Sequence, residues 1–134
     1  MALTDAQTGG VIKEFAGKVK VTLAGTVVAG DLLGYSSGWK RALATVGTAI
    51  QGRLVALEGG VSGDEIEAAA AAVIGGRISG ATPGGAVYGA EGTSNGQYTE
   101  TAPSTTGDVA TIIGRILDAT TIIVWPENRA PVVV

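Results

Sequence analysis

The sequence predicts a mainly β fold: a small β-barrel or β-sandwich of short antiparallel strands, with an extended N-terminal arm. Three observations predict it. Glycine accounts for 22 of the 134 residues, where average usage gives roughly nine, so turns and close backbone approaches are frequent. Turn residues recur between short apolar runs, as in residues 27–39 (VVAGDLLGYSSGW). Residues 18–24 (KVKVTLA) alternate apolar and polar side chains, the signature of a half-buried antiparallel strand.

Taken in order, residues 1–12 form the arm and residues 13–134 a single β-rich domain. Residues 1–10 are mostly polar and close on Gly9 and Gly10. In residues 18–24, Val19, Val21 and Leu23 are expected on the buried face and Lys18, Lys20 and Thr22 on the wet one. Gly30 and Asp31 then make a turn between two apolar runs. Residues 36–38 (SSG) turn the chain again. The Gly-Asp pair recurs at Gly63-Asp64 and Gly107-Asp108, and Gly-Arg-aliphatic recurs at 52–54, 76–78 and 114–116. The spacing is too irregular for a solenoid. Residues 62–77 (SGDEIEAAAAAVIGGR) set two tendencies against each other. Ser62 and Glu65 form a capping box, acids fill the first turn, and Gly75 and Gly76 stop it, so local propensity favours a helix. Five consecutive alanines nevertheless offer a helix little apolar area with which to hold a core. Pro83 presets a turn before a strand in residues 82–89. Residues 108–117 and 120–125 are β-rich runs joined at Asp118 and Ala119, and Pro126 ends the second.

Composition narrows the function. There is no His and no Cys, which removes the commonest general base, the thiol nucleophile and the usual zinc ligands. The 12 acidic residues lie mostly beside Gly, Ser or Thr and read as solvated turn residues. The densest cluster, Asp64, Glu65 and Glu67, lacks calcium-loop spacing. The Gly-Gly pairs match no phosphate-binding motif. Net charge is −3, with the cations scattered apart from Lys18/Lys20 and Lys40/Arg41, so there is no basic stripe for nucleic acid. No apolar run is long enough to span a membrane. The expectation is a non-enzymatic protein without metal or cofactor. About a third of the hydrophobic residues are alanine, 21 in all, so the core is small and stability gains from neighbours.

Residues 78–126 resemble a segment common in structural proteins of tailed bacteriophages. The elements are Thr82, Pro83, Gly84, Val87 and Tyr88, then Gly92 and Gly96, then Thr99, Thr101 and Pro103. Gly107, Asp108 and Val109 follow, then Gly114, and a last aliphatic strand closed by Pro126. Residues 25–35 (GTVVAGDLLGY) are similar to the opening of phage capsid decoration, or cement, proteins. The resemblance implies a compact, mostly β virion protein that sits as a homotrimer on the outer capsid surface. There it binds where major capsid protein subunits meet and holds the expanded head against internal DNA pressure. It implies an arm that docks on the capsid, here Ala2, Leu3, Thr4, Asp5, Gln7, Thr8 and Val11, and an extended conformation for residues 64–74. A module of a phage tail or fibre, or a β-rich carbohydrate-binding module, is the alternative. Trp39 and Trp125 are either core residues or interface anchors. The terminal Val132, Val133 and Val134 are expected to pack on a core edge or on a neighbouring subunit. Lys13, Lys18 and Lys20 are either a solvated strand face or a match for an acidic capsid surface.

Overall fold

The computed structural model describes residues 11–43, 50–75, 81–89, 96–102 and 112–126. Its regular structure there is all strand: β1 (Val11–Thr22), β2 (Leu32–Tyr35), β3 (Trp39–Arg41), β4 (Leu54–Ala56), β5 (Glu65–Gly75), β6 (Ala86–Gly89), β7 (Tyr98–Thr99), β8 (Gly114–Asp118) and β9 (Thr121–Val124). These strands make one curled, half-barrel sheet in the order β3-β2-β4-β5-β9-β8-β6-β7, with β1 added on β5. Every strand pairing is antiparallel. The expected mainly β, barrel-like architecture is what the chain adopts.

The spine is β5, the segment whose local propensity favours a helix. One of its edges pairs with β1 along its whole length. The other is divided, with Ala68 and Ala69 against β4 and Ala72 to Gly75 against β9. Tertiary pairing on both edges overrides propensity. The alanines suit the place: Ala68, Ala69 and Ala72 are buried between neighbours that leave little room for larger groups.

Two apolar cores lie on opposite sides of β2 and β4. Leu32 and Val55 point into one, with Ile74, Val87, Tyr98, Ile116 and Ile122. Their neighbours Leu33 and Ala56 point into the other, with Val21, Leu23, Val27 and Ile66. Burial on both faces is why these strands read as continuous apolar runs rather than alternating ones. A bridge between Leu23 and Trp39 brings the end of β1 round to β3 and closes the second core.

The Gly-Asp repeats at 30–31 and 63–64 are one turn built twice. Val28 C=O accepts from Asp31 N–H at 3.1 Å and Val61 C=O from Asp64 N–H at 3.0 Å. In return each aspartate Oδ2 accepts from the backbone N–H of its valine, at 2.9 Å in both. Gly30 and Gly63 adopt φ of 92° and 95°, a conformation that favours glycine.

Several sequence expectations need correction. Val11 and Ile12, the last two residues of the expected arm, lie in β1, where Val11 pairs with Gly75 and Ile12 packs on the first core. Val21 and Leu23 are buried as expected, but Val19, although opposite the buried Ala68, is 44% exposed. The β8–β9 connection falls at Ala119 and Thr120, one residue later than expected, with Asp118 ending β8 beside a bulge. Asp118 Oδ1 accepts from Thr120 N–H at 2.9 Å, and that bond holds its carboxyl below the usual range. Residues 108–111 lie outside the described residues, and Ile112 and Ile113 precede β8 rather than belonging to it.

Candidate functional site

The surface that stands out is the outer edge of β1. Residues 13–20 are all exposed, and among the described residues none pairs with that edge. Its backbone is poised to pair. Leu23 N–H turns inward to Asp64 C=O, and Ala24 N–H turns the other way, to Trp39 C=O. The register is unbroken from Glu14 opposite Val73 to Thr22 opposite Glu65. Carried back along β1, the alternation directs the backbone groups of Lys18, Lys20 and Thr22 away from β5, as far as Gly17, whose φ of 74° interrupts it.

Beside this edge lies an apolar groove of about 400 Å³, lined by Phe15, Gly17, Ala70, Val73, Ile123 and Trp125, among others. Phe15 is 52% and Trp125 46% exposed. A second, more polar concavity touches Ile12, Lys13, Glu14, Phe15 and Leu57. Lys18 Nζ reaches Glu67 Oε2 at 2.8 Å, and Lys20 Nζ stands 3.9 Å from Glu65 Oε1. The bond between Lys18 and Glu67 raises the lysine pKa and lowers that of the carboxylate. Lys13 Nζ donates to Thr121 Oγ1 at 3.4 Å across Gly75, so all three lysines on β1 are drawn back over β5. This arrangement can accept an extended backbone and apolar side chains.

Other aromatic and acidic residues serve the scaffold. Trp39 packs against the second core and meets Tyr35 edge-on, with ring centroids 5.5 Å apart. Asp31, read from sequence as a solvated turn residue, is fully buried. Its Oδ2 accepts from Arg41 Nε at 2.7 Å as well as from Val28 N–H. Tyr98, also buried, donates its hydroxyl to Gly30 C=O at 2.6 Å. These bonds fasten the 28–31 turn to β3 and β7. Among the described residues, no three acidic side chains converge to hold a metal ion.

Of the interface candidates named from sequence, the structure brings Trp125 to the groove and puts Trp39 at the core rim. Ala2, Leu3, Thr4, Asp5, Gln7, Thr8, Val132, Val133 and Val134 lie outside the described residues. Phe15 and the open edge were missed. Their signal was present: odd positions from Phe15 through Gly17 and Val19 to Val21 continue the alternation of residues 18–24 toward the N-terminus. Compared with known proteins, the chain matches no family model, no curated protein and no solved structure.

Proposed function

We propose that the chain is a non-enzymatic structural protein of a tailed-phage virion. It binds the outer surface of the capsid where major capsid protein subunits meet and stabilises the expanded head against internal DNA pressure. The observation that carries this reading is the groove between Phe15 and Trp125. An apolar concavity flanked by half-exposed aromatics, with Glu14 at its margin, has the anatomy of a protein-docking surface. Trp125 lies within the segment, residues 78–126, that resembles phage structural proteins, so sequence and surface meet there. A lattice binder needs no reacting group. It needs a rigid scaffold that presents a contact many times over, and a sheet with two cores supplies rigidity.

Co-sedimentation of the full chain with expanded, undecorated capsids tests this. The expected result is saturable pelleting at a fixed ratio to the major capsid protein, with capsids that then survive more heat. Trp125→Ala is expected to weaken that binding about tenfold or more, as truncation of a central aromatic does. No pelleting of the unaltered chain overturns the reading and turns the search to purified tails.

A further inference from the structure

We propose that residues 127–134, the segment that follows Trp125 and Pro126, fold back over their own chain and fill the apolar groove beside β1, with Pro131, Val132, Val133 and Val134 against its walls. The inference goes beyond the capsid reading and does not depend on it.

The groove exists because small residues floor it and large ones wall it. Gly17 and Ala71 leave the sheet surface low, and Phe15, Val73, Ile123 and Trp125 stand around them. Gly17 has no room for a side chain, since a Cβ there would come within 2.8 Å of the Ala70 methyl. A concavity of about 400 Å³ takes a few side chains of a short segment, not the broad face of a folded partner.

The described residues end at one wall of this groove. Trp125 N–H donates to Ile113 C=O at 2.6 Å, so Trp125 still belongs to the sheet. Pro126 has no N–H with which to continue the ladder, and it sits in a turn. Glu127, Asn128 and Arg129 come next, and an asparagine close to a proline is turn chemistry. Ala130 to Val134 are then wholly apolar. Pro131 biases Ala130 to an extended backbone, and the β-branched valines favour one too. Ile123 lies opposite Val73, so the groove runs from Trp125 about two residues back along β9, roughly 7 Å. Five extended residues span roughly 16 Å, enough to cross it after the chain has reversed.

Other occupants fit worse. The arm, residues 1–10, is mostly polar, and Asp5 is its one charged side chain. The one charged side chain lining the groove is Glu14, which among the described residues makes no ion pair. The arm would set acid against acid, whereas the tail brings Arg129. The tail of a second copy carries the same residues. A segment tethered at the rim, however, acts at an effective concentration on the order of millimolar, above that of separate chains at micromolar concentration. On the capsid reading, the tail is a strap that the capsid partner displaces.

Acrylamide quenching of tryptophan fluorescence tests the proposal without any capsid, with Trp39 as a constant background. The full chain is expected to be quenched less than a chain that ends at Arg129. The peptide Ala-Pro-Val-Val-Val, at millimolar concentration, is expected to restore protection to the shortened chain and to leave the full chain unchanged. Val133→Asp in the full chain sets a carboxylate among apolar walls. It is expected to weaken docking about tenfold or more and to raise quenching toward that of the shortened chain. This variant keeps the test open should the shortened chain fail to fold. Equal quenching of the full chain and of Val133→Asp overturns the proposal, and so does a peptide that gives the folded shortened chain no protection. Protection that grows with protein concentration, alongside a mass above the 13.2 kDa of one chain, overturns it too, because the tail then lies in a neighbour's groove.

Discussion

At the scale of single residues, the turn at 28–31 shows how much depends on partners far along the chain. Val61 to Asp64 makes the same turn in an exposed setting, while Asp31 is buried against Arg41 and roofed by Tyr98. Removing the Tyr98 hydroxyl leaves Gly30 C=O without that donor, so Tyr98→Phe is expected to cost about 1–2 kcal/mol near neutral pH. The loss has a pH signature. Burial first, and then the charge of Asp31, raise the Tyr98 pKa well above its ordinary 10.0. The folded state therefore keeps a proton that the unfolded chain releases. The hydroxyl's contribution is fully present below pH 10 and declines as pH rises above it. Urea midpoints at pH 8 and pH 11 are expected to show the gap between parent and variant narrowing by about 1 kcal/mol. A gap that stays constant sinks this account. None of it was legible in the sequence, because Gly-Asp reads identically in both turns. Only the fold brings Arg41 and Tyr98 to one aspartate and not the other.

At the scale of elements, turns and short runs gave the strands their places, and the largest ambiguity lay in β5. Its capping box and alanines satisfy every local rule for a helix. What decides is non-local: three strands pair with its two edges. No pattern within an 11-residue window records that. The alternation around Val19 misled in a related way. Period-two spacing identifies a strand face but not whether a core reaches that far along it. So β1 was visible, and its exposed edge, which makes the candidate site, was not. Trp125, like Trp39, could be read from sequence only as either a core residue or an interface anchor, because a large aromatic fits both. Ala69 tests the role of β5 as a spine. It is fully buried, with Val55 opposite on one side and Lys18 on the other. Ala69→Leu is expected to overpack that site and cost about 1–3 kcal/mol in denaturant unfolding. Tolerance of leucine without loss would mean that the spine is looser than its pairing requires.

At the scale of the whole molecule, the two cores share their walls. Leu32 and Val55 belong to one, Leu33 and Ala56 to the other, and each pair is consecutive in its strand. The backbone of β2 and β4 cannot loosen around one core without exposing the other. β5 adds a second link, since Ile66 and Ala68 serve one core while Ala72 and Ile74 serve the other. The chain should therefore melt in a single cooperative step despite its two apolar clusters. Ile66 and Ile116 probe the clusters separately, being 2% and 1% exposed. Ile66→Ala and Ile116→Ala should each cost about 2–5 kcal/mol. At roughly 4 °C per kcal/mol for a chain of this size, each lowers Tm by at least about 8 °C. Calorimetry of both variants is expected to show the same single transition displaced downward, with calorimetric and van't Hoff enthalpies in agreement. If one variant instead splits the transition in two, the cores unfold independently. The shared strands would then be a boundary between two units rather than a wall common to both.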